Sequence, residues 1–163
     1  MASGKFNLTT HQEASIPSGE QFRIGIVVAE WNAEVTEKLY QACYHTLTKY
    51  RTPSEHIITL YVPGSFELPQ AAQLLLESQE MDAVICLGCI VRGETTHDQH
   101  IATAVANGIT QVGLDYNTPV IFGVLTTNDM QQAHDRAGGK YGNKGEEAAI
   151  TALRMAAIRS RLI

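Results

Sequence analysis

Gly93-Glu94-Thr95-Thr96-His97 sets a histidine behind a glycine, where an apolar run gives way to helical spacing. The glycine permits a tight turn, and Thr95-x-x-Asp98 fits a capping box at a helix start. Unpaired amides and the positive end of the helix dipole would let such a start hold a phosphate without a dedicated side chain. An ordinary capped helix that binds nothing fits the same residues. His97 falls in the first helical turn, where burial and the dipole both favour a neutral imidazole able to accept a proton near neutral pH. A surface or capping histidine is the plainer alternative, set against the position of His97 beyond the end of a strand.

Trp31 is the one tryptophan, and it follows an apolar run instead of sitting inside an element. There its ring could stack on a planar ligand, although core packing serves a large aromatic equally well. Phe66 carries the same two readings. Glu67 either accepts hydrogen bonds from a polyol or marks a solvated helix start, where acids are common. Arg136, Lys140 and Lys144 lie in a glycine-punctuated stretch that could clamp a phosphate dianion or form a solvated cationic loop. The first reading gains weight because basic residues are scarce: 12 Lys+Arg stand against 17 Asp+Glu, a net charge of -5.

Cys86-x-x-Cys89 with His97-x-x-His100 imitates a zinc pattern. Residues three apart in a strand point to opposite faces, so the two sulfurs cannot converge on one ion. The pair does not open a helix either, as a dithiol redox motif would. With three cysteines in all, an odd number, and two of them inside an apolar run, a secreted disulfide framework is not expected.

These residues need elements to hold them. Residues 23–29 read as a buried strand, and Val35, Leu39, Ala42, Cys43 and Leu47 follow at helical spacing. The step repeats: a strand at 56–62, then a helix marked by Leu68, Ala72, Leu75 and Leu76 with Pro69 in its first turn. A third strand covers 82–91, a helix runs from about 96 to 114, and a fourth strand covers 119–125. Asn128-Asp129-Met130-Gln131 resembles a capping box opening another helix, and residues 144–162 form the last one after a glycine-rich connection at 138–145. The class is α/β, four strands in a mainly parallel sheet covered on both faces, with right-handed crossovers. Ligands bind outside the carboxyl ends of such strands, which places Trp31, the 63–67 segment, the 92–97 segment and residues 126–128 along one edge.

Composition narrows the partners. A chain of 163 residues suits a single domain, here 22–163, after a loosely ordered arm over 1–21. With 44% hydrophobic and 18% charged residues, the chain is neither disordered nor fibrous, and the low charge suggests assembly. It lacks the basic stripe that nucleic acid requires. Its longest apolar run is about half the ~20 residues of a membrane span, and no signal-peptide core precedes it. A soluble, cytoplasmic protein with no membrane or nucleic-acid partner is expected.

Taken in order, Trp31-Asn32, the segment Val62-Pro-Gly-Ser-Phe-Glu67, the run from Gly88 to His97, Pro119-Val-Ile-Phe-Gly-Val-Leu-Thr-Thr127 and Arg136-Ala-Gly-Gly-Lys-Tyr-Gly-Asn-Lys-Gly145 closely resemble the lumazine synthase family from Phe22 to the C-terminus. The resemblance implies a flavodoxin-like three-layer α/β/α domain. It implies condensation of 5-amino-6-(D-ribitylamino)uracil with 3,4-dihydroxy-2-butanone 4-phosphate, a transferase step of riboflavin biosynthesis with no metal or redox cofactor. By position, Trp31 would stack on the pyrimidine, Ser65, Phe66 and Glu67 would hold the ribityl chain, and Ile90 and Val91 would border the ring. Glu94 and Thr95 would offer amides to the phosphate, Arg136 would pair with it, and His97 would relay protons. The site would lie between subunits of a pentamer, with Phe122, Arg136 and Lys144 coming from the neighbour.

The family usually has an aromatic and then an acid after this histidine, whereas this chain has Asp98, Gln99 and His100. Asp98 could take over the acid's role from another helix face, or His100 could share the proton transfer. Family members assemble as pentamers, decamers or sixty-subunit icosahedral shells; the uninterrupted connection at 138–145 points to a shell, with riboflavin synthase as a candidate partner and the N-terminal arm adding a strand to a neighbour's sheet. A non-catalytic flavin- or lumazine-binding shell protein and a flavodoxin-like binder of a phosphorylated effector are the competing readings.

Overall fold

Strand β1 (Ile24–Ala29) is buried along its whole length, and β3 (Ala83–Val91) is buried up to its last residue. Both are unbroken apolar runs because each has a helical layer on either face. The computed structural model describes residues 15–163. It places these two strands at the centre of a four-stranded sheet, ordered β2-β1-β3-β4, with β2 (Ile57–Val62) and β4 (Val120–Thr127) at the edges. Every pairing in this sheet is parallel. The architecture is the flavodoxin-like three-layer α/β/α arrangement.

Alternation divides the core in two. Ile24, Ile26 and Val28 join Ile85, Leu87 and Cys89 against helices α1 (Ala33–Lys49) and α5 (Lys144–Leu162). Val27, Ala29, Val84 and Cys86 face α2 (Leu68–Ser78) and α3 (His97–Asp115). Cys86 and Cys89 thus lie on opposite faces of β3, as strand geometry requires. Burial pushes the Cys86 thiol up to about 12, and burial together with the Glu34 carboxylate pushes that of Cys89 up to about 11. Among the described residues no helix is long and apolar enough to cross a membrane.

Several boundaries differ from those the sequence suggests. β4 continues to Thr127, because Ile90 and Val91 of β3 pair with Thr126 and Thr127. Between β4 and α5 lie a short helix, α4 (Met130–Arg136), and a two-stranded antiparallel ribbon of β5 (Ala137–Gly139) and β6 (Gly142–Asn143). The ribbon occupies the stretch expected to be a glycine-rich connection, and it uses Gly138 and Gly142 at φ of 102° and 79°, a region costly for other residues. α4 is capped by Asp129, whose side chain accepts from the Gln132 amide at 2.8 Å, one residue later than the expected Asn128 box.

Ordered packing also begins ahead of Phe22. Ile16 packs against the α1/α5-side core, and the Gly19 amide donates to the Tyr50 carbonyl at 2.7 Å. The expected arm falls for the most part on residues 1–14, outside those described, and with it the expected strand exchange.

Candidate active site

The chain passes from β1 through α1 to β2 on one side, and reaches β3 and β4 on the other. The switch in direction therefore lies between β1 and β3, where an open α/β sheet forms its ligand crevice. The pairing of β1 with β3 ends at Val28 and Leu87, while β3 runs on beside β4 to Val91. Beyond that divergence a groove of about 420 Å³ opens, walled by the ends of β1 and β3 and by the starts of α2 and α3.

Asn32 holds the mouth of the groove. It adopts φ 62°, ψ 44° at the N-cap of α1, and its Nδ2 donates to the Cys89 carbonyl at 2.9 Å. The preceding amides of Glu30 and Trp31 donate to Val62 and Pro63 at 2.8 and 3.0 Å, so the β1 loop is tied to β2 as well. Trp31, fixed between these bonds, leaves 73% of its surface exposed, and Phe66 leaves 58%. Neither ring belongs to the core; both border the groove and are free to cover a flat ligand.

Ser65 is buried in the groove wall above Gly88, where a Cβ would stand 2.6 Å from the serine Oγ. A glycine in mid-strand lets the start of α2 approach the sheet this closely. Ile90 and Val91 form the apolar side, next to Thr95 and His97. Glu67 turns back, its Oε2 accepting from the Gly64 amide at 2.9 Å, and so caps the turn that leads into α2.

Helix α3 starts at His97 with Thr96 as its N-cap and no side-chain capping bond. The expected Thr95–Asp98 box does not form. The helix starts one residue later than that box requires, and Asp98 falls on the face that continues through Ile101 and Val105, which pack against the sheet. The amides of Glu94 and Thr95 have no hydrogen-bond partner among the described residues. His97 lines the groove, and His100 does not.

Phe122, Arg136 and Lys144 lie outside this groove. Phe122 is exposed on the edge strand, opposite Cys86. Arg136 ends α4, donates to the Gln132 carbonyl at 3.2 Å and lies 4.9 Å over the Tyr141 ring. Lys140 approaches the same ring at 4.7 Å and Asp135 at 3.9 Å. Lys144 is ion-paired with Glu147. Tyr141, Glu147 and the Asn32 bridge were not foreseen from sequence, because each partnership depends on folding.

A larger depression of about 590 Å³ opens at the other end of the sheet. Several of its polar groups are engaged with one another: Asp82 accepts from the Arg23 backbone amide and approaches Arg159 at 3.9 Å, and Tyr116 donates to Glu77. At the switch point, by contrast, the Trp31 and Phe66 rings are exposed and the Glu94 and Thr95 amides have no hydrogen-bond partner among the described residues.

Residues 21–160 match the family model of 6,7-dimethyl-8-ribityllumazine synthase. The chain belongs to that family. It is 54% identical over 157 residues to the 6,7-dimethyl-8-ribityllumazine synthase of Cytophaga hutchinsonii, covering 96% of this chain and 98% of the relative. It is 51% identical over 155 residues to that of Parabacteroides distasonis, covering 95% and 97%. The Porphyromonas gingivalis protein of the same name is 51% identical over 158 residues, covering 97% and 98%. The family's matched region takes in every element that walls the groove.

Proposed function

We propose that this chain condenses 5-amino-6-(D-ribitylamino)uracil with 3,4-dihydroxy-2-butanone 4-phosphate to 6,7-dimethyl-8-ribityllumazine, releasing phosphate and water. The observation that carries the reading is one groove that combines two exposed aromatic rings, a helix start preceded by free amides, and a histidine. The rings of Trp31 and Phe66 suit a flat pyrimidine and its polyol chain. The free amides of Glu94 and Thr95, at the positive end of α3, suit a phosphate.

The chemistry asks mainly for positioning and proton transfer. The amine attacks the ketone and loses water to give an imine. Loss of a proton then lets phosphate depart, and after tautomerisation the second nitrogen closes the ring on the new carbonyl with loss of a second water. His97 is placed to take and return these protons. The helix start stabilises the leaving dianion where its charge develops. No step calls for a redox centre or a metal, and the reaction is a cofactor-independent group transfer in the cytoplasm.

Phe122, Arg136 and Lys144 complete the site from a neighbouring subunit in this reading. Their position outside the groove of their own chain supports it. The assembly is a ring of five, closed further into a sixty-subunit shell; a light-scattering mass near that of a pentamer would refute the shell.

Mixing the purified protein with both substrates while following lumazine absorbance and phosphate release tests the reaction. Formation of both products in step is the expected result. Ligand binding without turnover would instead favour the non-catalytic shell protein.

A further inference from the structure

We infer that Asp98 is a substrate-binding residue of the groove, its carboxylate accepting a hydrogen bond from an N–H of the amine substrate. The inference rests on the proposed condensation and goes beyond it in naming a contact that the family pattern does not supply at this position.

Asp98 lies on the face of α3 that carries Ile101, Val105, Ile109 and Val112 against the sheet. An acid at a helix start ordinarily points to water, where it complements the dipole without desolvation. Here it is half-buried and lines the groove beside His97 and Ile101. Its Oδ1 is sealed from solvent and has no hydrogen-bond partner among the described residues. An ionised carboxylate only accepts, so a donor must come from elsewhere to offset that burial.

Among the described residues of this chain, neither lysine nor arginine lines the groove. Of the two substrates, the phosphorylated ketone is an anion and would be repelled by Asp98. The diaminouracil is rich in N–H groups and is attracted. Rotation about the broad terminal torsion of the side chain presents either oxygen to the groove. Adjacent residues on a helix do not face each other, so Asp98 does not act by gripping the His97 ring. Instead the two side chains meet the ligand from different directions, the histidine where protons move and the aspartate where the amine is held.

Steady-state kinetics with each substrate varied in turn separate this role from a structural one. Asp98→Ala is expected to raise KM for the amine about tenfold or more, the scale of a hydrogen bond to a charged group, while KM for the phosphorylated ketone stays put. Asp98→Asn, which keeps the shape and one acceptor oxygen, should recover part of the loss and guards against a folding defect in the alanine variant. Unchanged amine KM in both variants overturns the inference. So does an equal change in both KM values, or a change in assembled mass without one in amine KM, which would mean that Asp98 pairs with a neighbour's cation. If the wild-type protein makes no lumazine the proposed reaction falls, and calorimetric titration of the amine alone still decides the contact: weaker binding to Asp98→Ala supports it, and equal binding sinks it.

Discussion

Asn32 Nδ2 donates to the Cys89 carbonyl across 2.9 Å, joining two strand ends 57 residues apart in sequence where their own ladder has stopped. The side chain continues the sheet by one bond and leaves the groove open beyond it. Replacement by alanine removes that bond and puts a Cβ-bearing residue without a compensating side chain at φ 62°. Each effect costs about 1 kcal/mol, so the loss should reach about 2 kcal/mol and lower Tm by roughly 4–8 °C. Asn32→Gly relieves the backbone cost and should lose only about half as much. Thermal unfolding of the three proteins checks this; equal losses for both variants would remove the backbone part of the explanation.

Gly88 and Ser65 form the second constraint. A methyl at Gly88 would lie 2.6 Å from Ser65 Oγ and 3.0 Å from Leu68 Cδ1. Gly88→Ala should therefore push the start of α2 away from β3, costing about 1–3 kcal/mol by overpacking. Adding Ser65→Ala removes the nearest atom and should return part of that stability, while the Leu68 contact keeps the rescue incomplete. Urea unfolding of the single and double variants measures it, and strictly additive losses would contradict it.

What was legible beforehand follows from the range of the interactions. The central strands could be read because both of their faces are buried, and the order of elements placed Trp31, Ser65 and His97 at one edge. Neighbouring residues of like chemistry blur the helix starts: Thr96 competes with Thr95, and Asp129 with Asn128, so each N-cap lies one residue later than the spacing suggests, and at Thr96 no side-chain bond forms. The β5–β6 ribbon is too short to show a two-residue period. Whether Trp31 packed inside or stood exposed could not be settled locally, since an indole suits both, and the partners of Asn32 and Gly88 exist only once distant segments meet.

The two histidines of α3 differ in what they face. His97 lines the groove and His100 does not, so only the first can exchange protons with a ligand there. His97→Ala should lower turnover by about 10²–10⁴-fold, the usual range for general acid–base help. His100→Ala should stay within a few-fold of the wild type. Steady-state turnover decides between them, and equal losses would sink the assignment of His97.

The cysteines should be inert in the folded protein. Cys86 and Cys89 are pushed up to about 12 and 11, and burial also pushes the Cys43 thiol well above its usual range. Little thiolate then exists at pH 8, and thiolate is the reactive form. A chromogenic disulfide reagent should react slowly with native protein and promptly with all three thiols after denaturation. Rapid native reaction would show that the β3 core opens to solvent.

A site shared between subunits makes a prediction that a site within one chain cannot. His97 lines the groove, whereas Arg136 sits beyond it against Tyr141, with one of its five N–H groups used on the Gln132 carbonyl. His97→Ala and Arg136→Ala proteins should each be nearly inactive alone, the second with a raised KM for the phosphorylated ketone. Unfolded together and reassembled in equal amounts, they place two intact halves side by side in about a quarter of random head-to-tail contacts in a ring. Activity should return to about that fraction of the wild type, because one chain then supplies the histidine and its neighbour the guanidinium. If each chain supplied both residues to its own site, no mixture would recover, and the proposed division of the site between neighbours would fail with it.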